Sequence, residues 1–203
     1  MGFLREVFGP SKEEVWSNLC DEIGGQFIDG GFWKGDKVEA KAGQWTIVLD
    51  TYTVSTGKTS TTYTRMRAPF VNADDFYFKI YREGVFSGLG TLLGMQDINI
   101  GYEDFDSNFV IKSNDEEKVA QLLSKDEVRR LIDAQPSISL EIKDDEGFFG
   151  PYFPEGVDEL YFQVPGVLKD LEVLKALYHL FAEVLTQLCY IGSAYENAPD
   201  VTL

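Results

Sequence analysis

The stretch DFDSNFVIKSND, residues 104 to 115, carries oxygen-bearing side chains at the spacing of calcium ligands. At the first, third, fifth and twelfth positions of this window stand Asp104, Asp106, Asn108 and Asp115. A calcium loop between two helices also needs glycine at the sixth position, for a sharp turn, and a bidentate glutamate at the twelfth. Phe109 and Asp115 occupy these two positions, and residues 109 to 112 alternate as a strand does. We therefore predict a strand that enters a capped helix, with Asp104 and Asp106 in the approach, and keep calcium binding as an alternative.

Histidine and cysteine do not form a recognisable zinc or nucleophile set in this sequence. His179 is the one histidine, and Cys20 and Cys189 lie in apolar helical patterns, where a free thiol packs as a small core side chain. The usual zinc ligand sets cannot be assembled from these residues, and no disulfide framework is predicted. His179 shares one side of its helix with Glu183, so we expect an exposed imidazole paired with that carboxylate.

A carboxylate-based hydrolase stays open as an alternative, because glycoside hydrolysis needs only two acids. The chain contains 34 Asp and Glu residues, so the sequence does not select a pair. A G-x-S-x-G nucleophile elbow is not present. The sequence singles out no catalytic residue, no metal ligand and no cofactor-binding residue, and it predicts no cofactor.

The glycine-rich residues 84 to 101 include the segment SGLGTLLG, with glycines at positions 88, 90 and 94. The dinucleotide fingerprint needs its third glycine one position earlier and a helix after it, and the Walker loop needs a Gly-Lys-Ser/Thr ending. Neither pattern is met, so we interpret the segment as a long loop or a joint between subdomains. Aliphatic and aromatic side chains here and in the segment MGFLREVFG are our candidate contacts with a partner protein. They are Phe3, Leu4, Leu89, Leu92 and Leu93.

The net charge restricts the partners of this chain. Its 34 acidic and 18 basic residues give a formal charge of −16 over 203 residues, which repels phosphate backbones and anionic lipid headgroups. Nucleic-acid binding is therefore not expected. Charged residues interrupt the apolar segment 167 to 191, so no membrane span is predicted, and the amino terminus lacks the pattern of a signal peptide. We expect a cytoplasmic protein whose partner is another protein or a second copy of itself.

Two helices with clear signals are predicted near the ends of the chain. Ser11 and Glu14 form a capping box before KEEVWSNLCDEI, and Gly24 with Gly25 ends that helix. The second helix, from about residue 167 to 191, repeats apolar residues at helical spacing, so it should lay a wide apolar face on a sheet.

Between these helices the sequence is rich in strands. The β-branched and aromatic runs WTIVLDTYTVS and TSTTYTRMRA are joined by a turn at Gly57, as in a hairpin. The alternation of FYFKIYR predicts a half-buried strand. Further strands are predicted in NFVIKS, SISLEI and ELYFQV. Two short helices are predicted at 115 to 123, capped by Ser113 or Asn114, and at 125 to 134, capped by Ser124. Asp115 is also expected to bind free amides at the start of the first helix.

These elements predict an α+β fold in a single domain of residues 1 to 203, with a subdomain joint at 84 to 101. The antiparallel strands should form a curved sheet or a partly closed barrel, covered by the long carboxy-terminal helix. A pleckstrin-like barrel, which also ends in a covering helix, is one version of this architecture. The fold alone does not settle the function.

One block of the chain has a recognisable order of motifs. F-x-x-x-F-V-I from Phe105 is followed by NDEEKVAQLLS from Asn114, a second helix and the strand SISLEI. Residues 103 to 142 therefore resemble the central block of an uncharacterised bacterial family, one of the domains of unknown function. Some members of that family carry membrane spans near the amino terminus, and none is predicted here. The resemblance implies a strand, helix, helix, strand order, and it implies no activity, cofactor or catalytic residue.

The leading functional hypothesis is a non-catalytic, soluble interaction or scaffold protein of an uncharacterised bacterial family. Two observations lead to this hypothesis. The aliphatic segments could contact a partner protein, and the sequence shows no coherent catalytic site. A small-ligand-binding protein or a carboxylate-based hydrolase is the alternative, and a calcium-binding protein is a further one. A deep pocket with several converging acids would favour the hydrolase over the leading hypothesis.

Overall fold

The structure, a computed structural model, describes residues 9 to 31, 35 to 82, 96 to 144 and 153 to 203. Its helices are α1 (Lys12–Ile23), α2 (Glu103–Asn108), α3 (Glu116–Ser124), α4 (Asp126–Asp133) and α5 (Leu171–Tyr190). Its strands are β1 (Gln26–Ile28), β2 (Lys37–Ala42), β3 (Trp45–Ser55), β4 (Ser60–Asn72), β5 (Phe78–Arg82), β6 (Gln96–Asp97), β7 (Phe109–Ser113), β8 (Ser139–Lys143), β9 (Val157–Pro165) and β10 (Ala194–Tyr195). The candidate partner contacts lie outside the described residues; they are Phe3, Leu4, Leu89, Leu92 and Leu93.

The described strands all belong to one antiparallel sheet. Nine of them follow one another in the order β1, β2, β3, β4, β9, β8, β5, β7, β6, and β10 pairs with the end of β4. Strands from before and after the segment 84 to 101 lie side by side, since β5 pairs with both β7 and β8. Within the described residues β1 pairs only with β2 and β6 only with β7, so the sheet is open and not closed into a barrel. The predicted α+β fold is confirmed, in its open-sheet form.

Neighbouring rows of residues across the sheet have opposite chemistry. One row, which we call the apolar row, consists of Leu49, Met66, Phe162, Leu140, Ile80 and Ile111. The adjacent row, which we call the charged row, consists of Val48, Arg67, Tyr161, Glu141, Lys79 and Lys112. Because successive side chains of a strand point to opposite faces, the sheet has an apolar face and a polar face.

Helices cover the apolar face. The apolar row belongs to one core cluster with Trp16 of α1, Leu122 of α3, Ile132 of α4 and the buried stripe of α5. That stripe consists of Leu174, Leu177, Tyr178, Leu180, Phe181, Val184, Leu185 and Leu188. Val48 and Tyr161 of the charged row are also buried but do not belong to this cluster. The predicted covering role of the long carboxy-terminal helix is therefore confirmed.

The ends of the two terminal helices follow from their caps. Ser11 accepts a hydrogen bond from the backbone amide of Glu14 at 3.1 Å, and α1 ends at Gly24, whose φ of 67° suits glycine. In α5 the carboxylate of Asp170 accepts from the amide of Val173 at 3.1 Å. This cap starts the helix at Leu171, later than the predicted start near 167. Among the described residues, no helix is both long and apolar enough to cross a membrane.

The stretch before β7 differs from the prediction. Residues 103 to 108 form the short helix α2, where the sequence pattern indicated an irregular approach to a strand. Phe105 of this helix is buried and its ring lies 4.5 Å from the ring of Phe109, centroid to centroid. The carboxylate of Asp106 accepts from the backbone amides of Ile100 and Gly101 at 3.0 and 2.9 Å. These contacts fix the turn before the helix. They cannot be predicted from the alternation of apolar and polar residues, which indicates only a strand.

Two predicted caps in the central helices are also wrong. Asp115 caps α3 by accepting from the amide of Lys118 at 3.0 Å, so the contact expected of Asp115 is confirmed. Ser113 instead accepts from the amide of Asp115 itself. Asn114 instead bridges to the chain before β5, where it accepts from the amide of Tyr77 at 2.8 Å. At α4 the capping residue is Lys125, which makes no side-chain cap. The hydroxyl of Ser124 donates to the main-chain oxygen of Gln121 within α3, and no side-chain cap hydrogen bond is made at the start of α4.

Candidate functional site

A cleft of about 660 Å³ opens at the end of the sheet formed by β1 to β4. The charged side chains of its described lining are Asp29, Lys37, Asp50, Arg65 and Arg67, and Leu203 lies beside them. Cations outnumber acids in this lining, although acids outnumber bases by 34 to 18 in the whole chain. Lys37 is also paired with Glu39, at 2.7 Å, so ionic side chains of both signs are concentrated at the cleft.

Two arginines share one aspartate in this cleft. Asp50 of β3 and Arg65 of β4 stand directly opposite each other, and Arg67 follows two positions along the same face. The Arg65 Nε and Nη2 donate to the two oxygens of Asp50 at 2.6 and 3.1 Å, and the Arg67 Nη2 donates to Asp50 Oδ2 at 2.7 Å. The Arg67 side chain is 4% exposed. This arrangement is a largely buried guanidinium, carboxylate, guanidinium cluster.

Tyrosines extend the cluster across the polar face. The guanidinium carbon of Arg65 lies 5.0 Å from the ring centroid of Tyr52, which stacks on Tyr63 at 5.3 Å and 18°. The hydroxyls of Tyr52 and Tyr161 donate to the same oxygen of Gln163, at 2.6 and 3.2 Å. The ring of Tyr52 and the carboxylate of Asp50 therefore both contact the guanidinium of Arg65, and these two contacts restrict the rotamers of the arginine side chain.

A second ion pair lies farther along the charged row. The Nζ of Lys79 donates to Glu141 Oε2 at 2.8 Å, with side chains only 4% and 8% exposed. Lys143 lies 3.5 Å from the other oxygen of Glu141 and 3.5 Å from the ring centroid of Tyr161. The alternation of FYFKIYR correctly predicted that Lys79 lies on the face of the strand opposite the core. A half-buried strand would leave this lysine accessible to water, and that part of the prediction is wrong because Lys79 is buried. Strands on both sides of β5, and the partner Glu141, remove Lys79 from water.

The chemistry of the cleft suits binding better than proton transfer. Arginine does not lose its proton in proteins and binds carboxylate and phosphate through two parallel hydrogen bonds. Both oxygens of Asp50 already accept bonds from guanidinium groups, and Asp29 Oδ1 accepts from the amide of Gly31 at 2.7 Å. In the part of the chain that the structure describes, no group of three or more His, Cys, Asp or Glu side chains is arranged to hold a metal ion.

The four oxygen-bearing residues of DFDSNFVIKSND are used locally. Asp106 binds the amides of the preceding turn and Asp115 caps α3, as described above. The amide of Asn108 donates to the backbone oxygen of Asp104 at 2.8 Å, within α2. These roles explain the polar spacing of the stretch without a metal ion.

The histidine and the cysteines lie apart from the cleft. His179 is exposed, as predicted, and its ring meets Tyr178 edge-on at 5.5 Å. The carboxylate of Glu183 accepts from Gln187 at 3.1 Å, and no contact with His179 is seen there. Burial raises the pKa of the Cys20 thiol, and burial together with the charge of Glu196 raises that of Cys189. A raised pKa keeps a thiol protonated, so neither cysteine has the environment of a nucleophile.

A buried carboxyl group lies at the far end of β9. Asp158 is 5% exposed, and its Oδ2 accepts from the side-chain amide of Asn72 at 2.5 Å. Burial raises the pKa of Asp158 above its ordinary value of 3.8, and the charges of Asp144 and Asp75 add to the rise. Hydrogen bonds from Asn72 and Tyr77 oppose it. The folded protein therefore holds this proton more tightly than the unfolded chain does.

This pKa shift predicts a pH dependence of stability that one substitution should remove. Because the folded pKa of Asp158 is raised, its favourable contribution is complete below about pH 3.8. It is lost as the pH rises through the folded pKa. We expect wild type to gain stability relative to Asp158→Asn as the pH falls from 7 towards 4, measured by urea unfolding. Asp21→Asn, at an exposed site, should show no such trend, and a pH-independent difference for Asp158→Asn would contradict the prediction.

The cleft was not predicted from the sequence, although part of its signal was present. Arg65 and Arg67 alternate with Met66 in TSTTYTRMRA, which places both arginines on the face opposite the core. Asp50 interrupts an otherwise apolar and β-branched strand in the same hairpin. Pairing the two strands about Gly57 would have brought Asp50 near the arginines, but the presence of Lys37 and Leu203 depends on the tertiary structure.

The sheet, its helical cover and the cleft together define an open-sheet α+β protein with a cleft lined by charged side chains. No protein-family model matches the chain, and no curated protein matches it significantly. Among solved structures it is similar to the crystal structure of the mycobacterial trehalose monomycolate transport factor A, TtfA. The identity is 7% and the TM-score 0.48, over 93% of this chain and 97% of that one. A likeness of this degree carries no argument about function. The resemblance of residues 103 to 142 to an uncharacterised bacterial family stays a prediction.

Proposed function

We propose that this chain is a non-catalytic binding protein that holds its ligand in the cleft lined by Lys37, Arg65 and Arg67. The observation that carries the proposal is the guanidinium, carboxylate, guanidinium cluster on the wall of the cleft. Replacing buried ionic groups by apolar ones is often neutral or stabilising. Charges kept at the wall of a cleft therefore favour a role in binding over a role in stability.

The same geometry supports binding over hydrolysis. A carboxylate-based hydrolase needs one acid that donates a proton and a second that acts as base or nucleophile. The two acids in the described lining are Asp50, clamped by arginines, and Asp29, bonded to a backbone amide. Neither is placed as half of an acid and base pair.

Retention of metabolites tests this function for a ligand of any identity. The full chain is incubated with a bacterial metabolite extract, separated by gel filtration, and both fractions are quantified by mass spectrometry. We expect at least one metabolite to travel with the wild-type protein while its total amount stays constant, and to be lost from Arg65→Met. Lys58→Met, which removes a positive charge from the β3–β4 turn, should retain it. Consumption of a metabolite, or equal retention by Arg65→Met, would overturn the proposal.

A protein partner in the bacterial cytoplasm remains part of this proposal. The contacts we propose for it, or for a second copy of the chain, are Phe3, Leu4, Leu89, Leu92 and Leu93. Light scattering after size exclusion should give a mass above 22.9 kDa for wild type and a lower mass for Leu92→Asp. The monomer mass for both proteins would exclude self-association through these residues.

A further inference from the structure

The ends of β3 and β4 extend beyond their neighbours in the sheet. Among the described residues, β2 pairs with β3 only as far as Leu49, and β9 pairs with β4 only from Tyr63 onwards. Residues 51 to 62 therefore form a two-stranded projection, which we call the hairpin arm. Residues 53 to 61 of the hairpin arm are all exposed. A hairpin of two strands is at best marginally stable in water, so an added strand would stabilise this one.

The outer edge of β3 in the hairpin arm presents backbone groups for pairing. The amide of Thr56 donates to the main-chain oxygen of Thr59 at 2.9 Å, so these residues form a hydrogen-bonded pair beside the turn. Such pairs alternate along an antiparallel ladder, so every second residue of β3 directs its backbone groups away from β4. Thr53 and Ser55 are two of these residues. Among the described strands, none pairs with that side of β3 beyond Leu49, so an extended chain can add a strand there.

This edge lacks the features that usually protect an exposed strand. Natural sheets block their edges with charged side chains, proline or bulges. Residues 51 to 56 contain no charged side chain and no proline. The pairing of β3 with β4 keeps one register from Val48 opposite Arg67 to Ser55 opposite Ser60, so no bulge interrupts it. The edge is therefore suited to pairing with another strand.

Net charge favours a second copy of the chain meeting the first at the hairpin arm. Residues 51 to 64 contain one charged side chain, that of Lys58, whereas 26% of the whole chain is charged. Two copies that each carry a formal charge of −16 repel each other as they approach. Contact through the two arms keeps the acidic side chains of both copies outside the interface. A two-fold axis uses the same surface of both copies, and it makes the two β3 edges antiparallel.

We infer that two copies of this chain pair edge to edge through residues 52 to 55 of β3, antiparallel and about a two-fold axis. The backbone groups of Thr53 and Ser55 in both copies make the hydrogen bonds, and the two open sheets become one. A standard stable interface takes about 20 to 30 residues from each partner. This stretch is much shorter, so the dimer is weak and reversible. The inference goes beyond the proposed ligand binding, and it uses residues other than the candidate partner contacts.

Sedimentation velocity of the full chain over a wide range of protein concentration tests the inference. We expect the mass of wild type to rise with concentration from 22.9 kDa towards that of a dimer. Val54→Glu places two like charges beside the two-fold axis and should raise the dimer Kd by about tenfold or more. The control is Val167→Glu, since Val54 is 44% and Val167 40% exposed. Val167 follows β9, on the other side of β4 from β3, so this variant should stay within about twofold of wild type.

Hydrogen exchange followed by NMR identifies the edge that pairs. In wild type the amides of Thr53 and Ser55 should exchange more slowly as the protein concentration rises, because they become hydrogen-bonded in the dimer. The amide of Glu155, an exposed residue in the turn before β9, should show no such change. These signals come from wild type, so they decide the result if Val54→Glu does not fold.

Three results would overturn the inferred dimer. The first is a mass of 22.9 kDa at every concentration. The second is equal dimerisation of Val54→Glu and Val167→Glu, or exchange at Thr53 and Ser55 that does not change while wild type dimerises. The third is a dimer that Leu92→Asp abolishes and Val54→Glu retains, which would assign self-association to the candidate partner contacts. Retention of metabolites is measured separately, so a monomer that retains a ligand would overturn the dimer and leave the binding function intact.

Discussion

Replacing Glu141 by leucine is expected to lower the free energy of unfolding by about 3 to 5 kcal/mol, the cost of breaking a buried ion pair. Its partner Lys79 is 4% exposed and would lose the carboxylate with which it is paired. On the other side Lys79 stands opposite Lys112 of β7, a like charge. Urea unfolding followed by circular dichroism would measure the loss.

A double-mutant cycle separates the ion pair from general packing. Lys79→Met in the Glu141→Leu background should recover most of the lost stability, because two apolar side chains of similar size then fill the space. As a control, Glu172 is 81% exposed in its contact with Lys175, and Glu172→Leu should change the free energy by less than about 1 kcal/mol. If Glu141→Leu costs as little as Glu172→Leu, or if the double variant is no more stable than Glu141→Leu, the buried pair is not the cause.

Replacing Phe162 by alanine should have an effect of similar size for a different reason. Phe162 of β9 is fully buried in the apolar row, between Met66 of β4 and Leu140 of β8. Removing its ring creates a cavity between the sheet and its helical cover, which costs about 3 to 5 kcal/mol in protein cores. A fall of this size takes a large share of the roughly 5 to 15 kcal/mol that stabilises a typical domain.

Two comparison variants make this second prediction specific. Phe162→Leu keeps most of the apolar volume, so it should cost clearly less than Phe162→Ala. Val167→Ala removes two methyl groups from a residue that is 40% exposed, and its effect should lie within about 0.5 kcal/mol. Guanidinium unfolding curves of the three variants would test the order. Equal costs for Phe162→Ala and Val167→Ala would show that β9 does not lie at the centre of the core.

Local signals were enough to predict several elements of this fold. The strand WTIVLDTYTVS was predicted with the bounds that β3 has, because its β-branched residues precede a turn at Gly57. Ser11 and Gly24 correctly marked the two ends of α1. In each case the deciding interaction joins residues a few positions apart, and that kind of interaction is visible in the sequence.

Interactions between residues that are distant in the sequence could not be predicted from such local signals. The pairing of Arg67 with Tyr161 and the neighbourhood of Lys79 depend on the order of strands in the sheet, which periodicity does not specify. The alternation around Lys79 gave its face correctly, but its burial depends on Glu141, a residue in a separate strand. The same limit applies to the cleft, where Lys37 meets Leu203 across nearly the whole chain.

The place of β4 in the sheet has a consequence for synthesis on the ribosome. One side of this 13-residue strand pairs with β3 at once, but the other side waits for β9, which follows about 90 residues later. At about 5 to 20 residues per second, the nascent chain presents a long unpaired strand edge for roughly 5 to 20 s. Exposed edges of this kind promote aggregation, and charged side chains are a common protection. Arg65 and Arg67 lie in that edge, so the arginines of the cleft would also protect the unfinished protein from joining other chains.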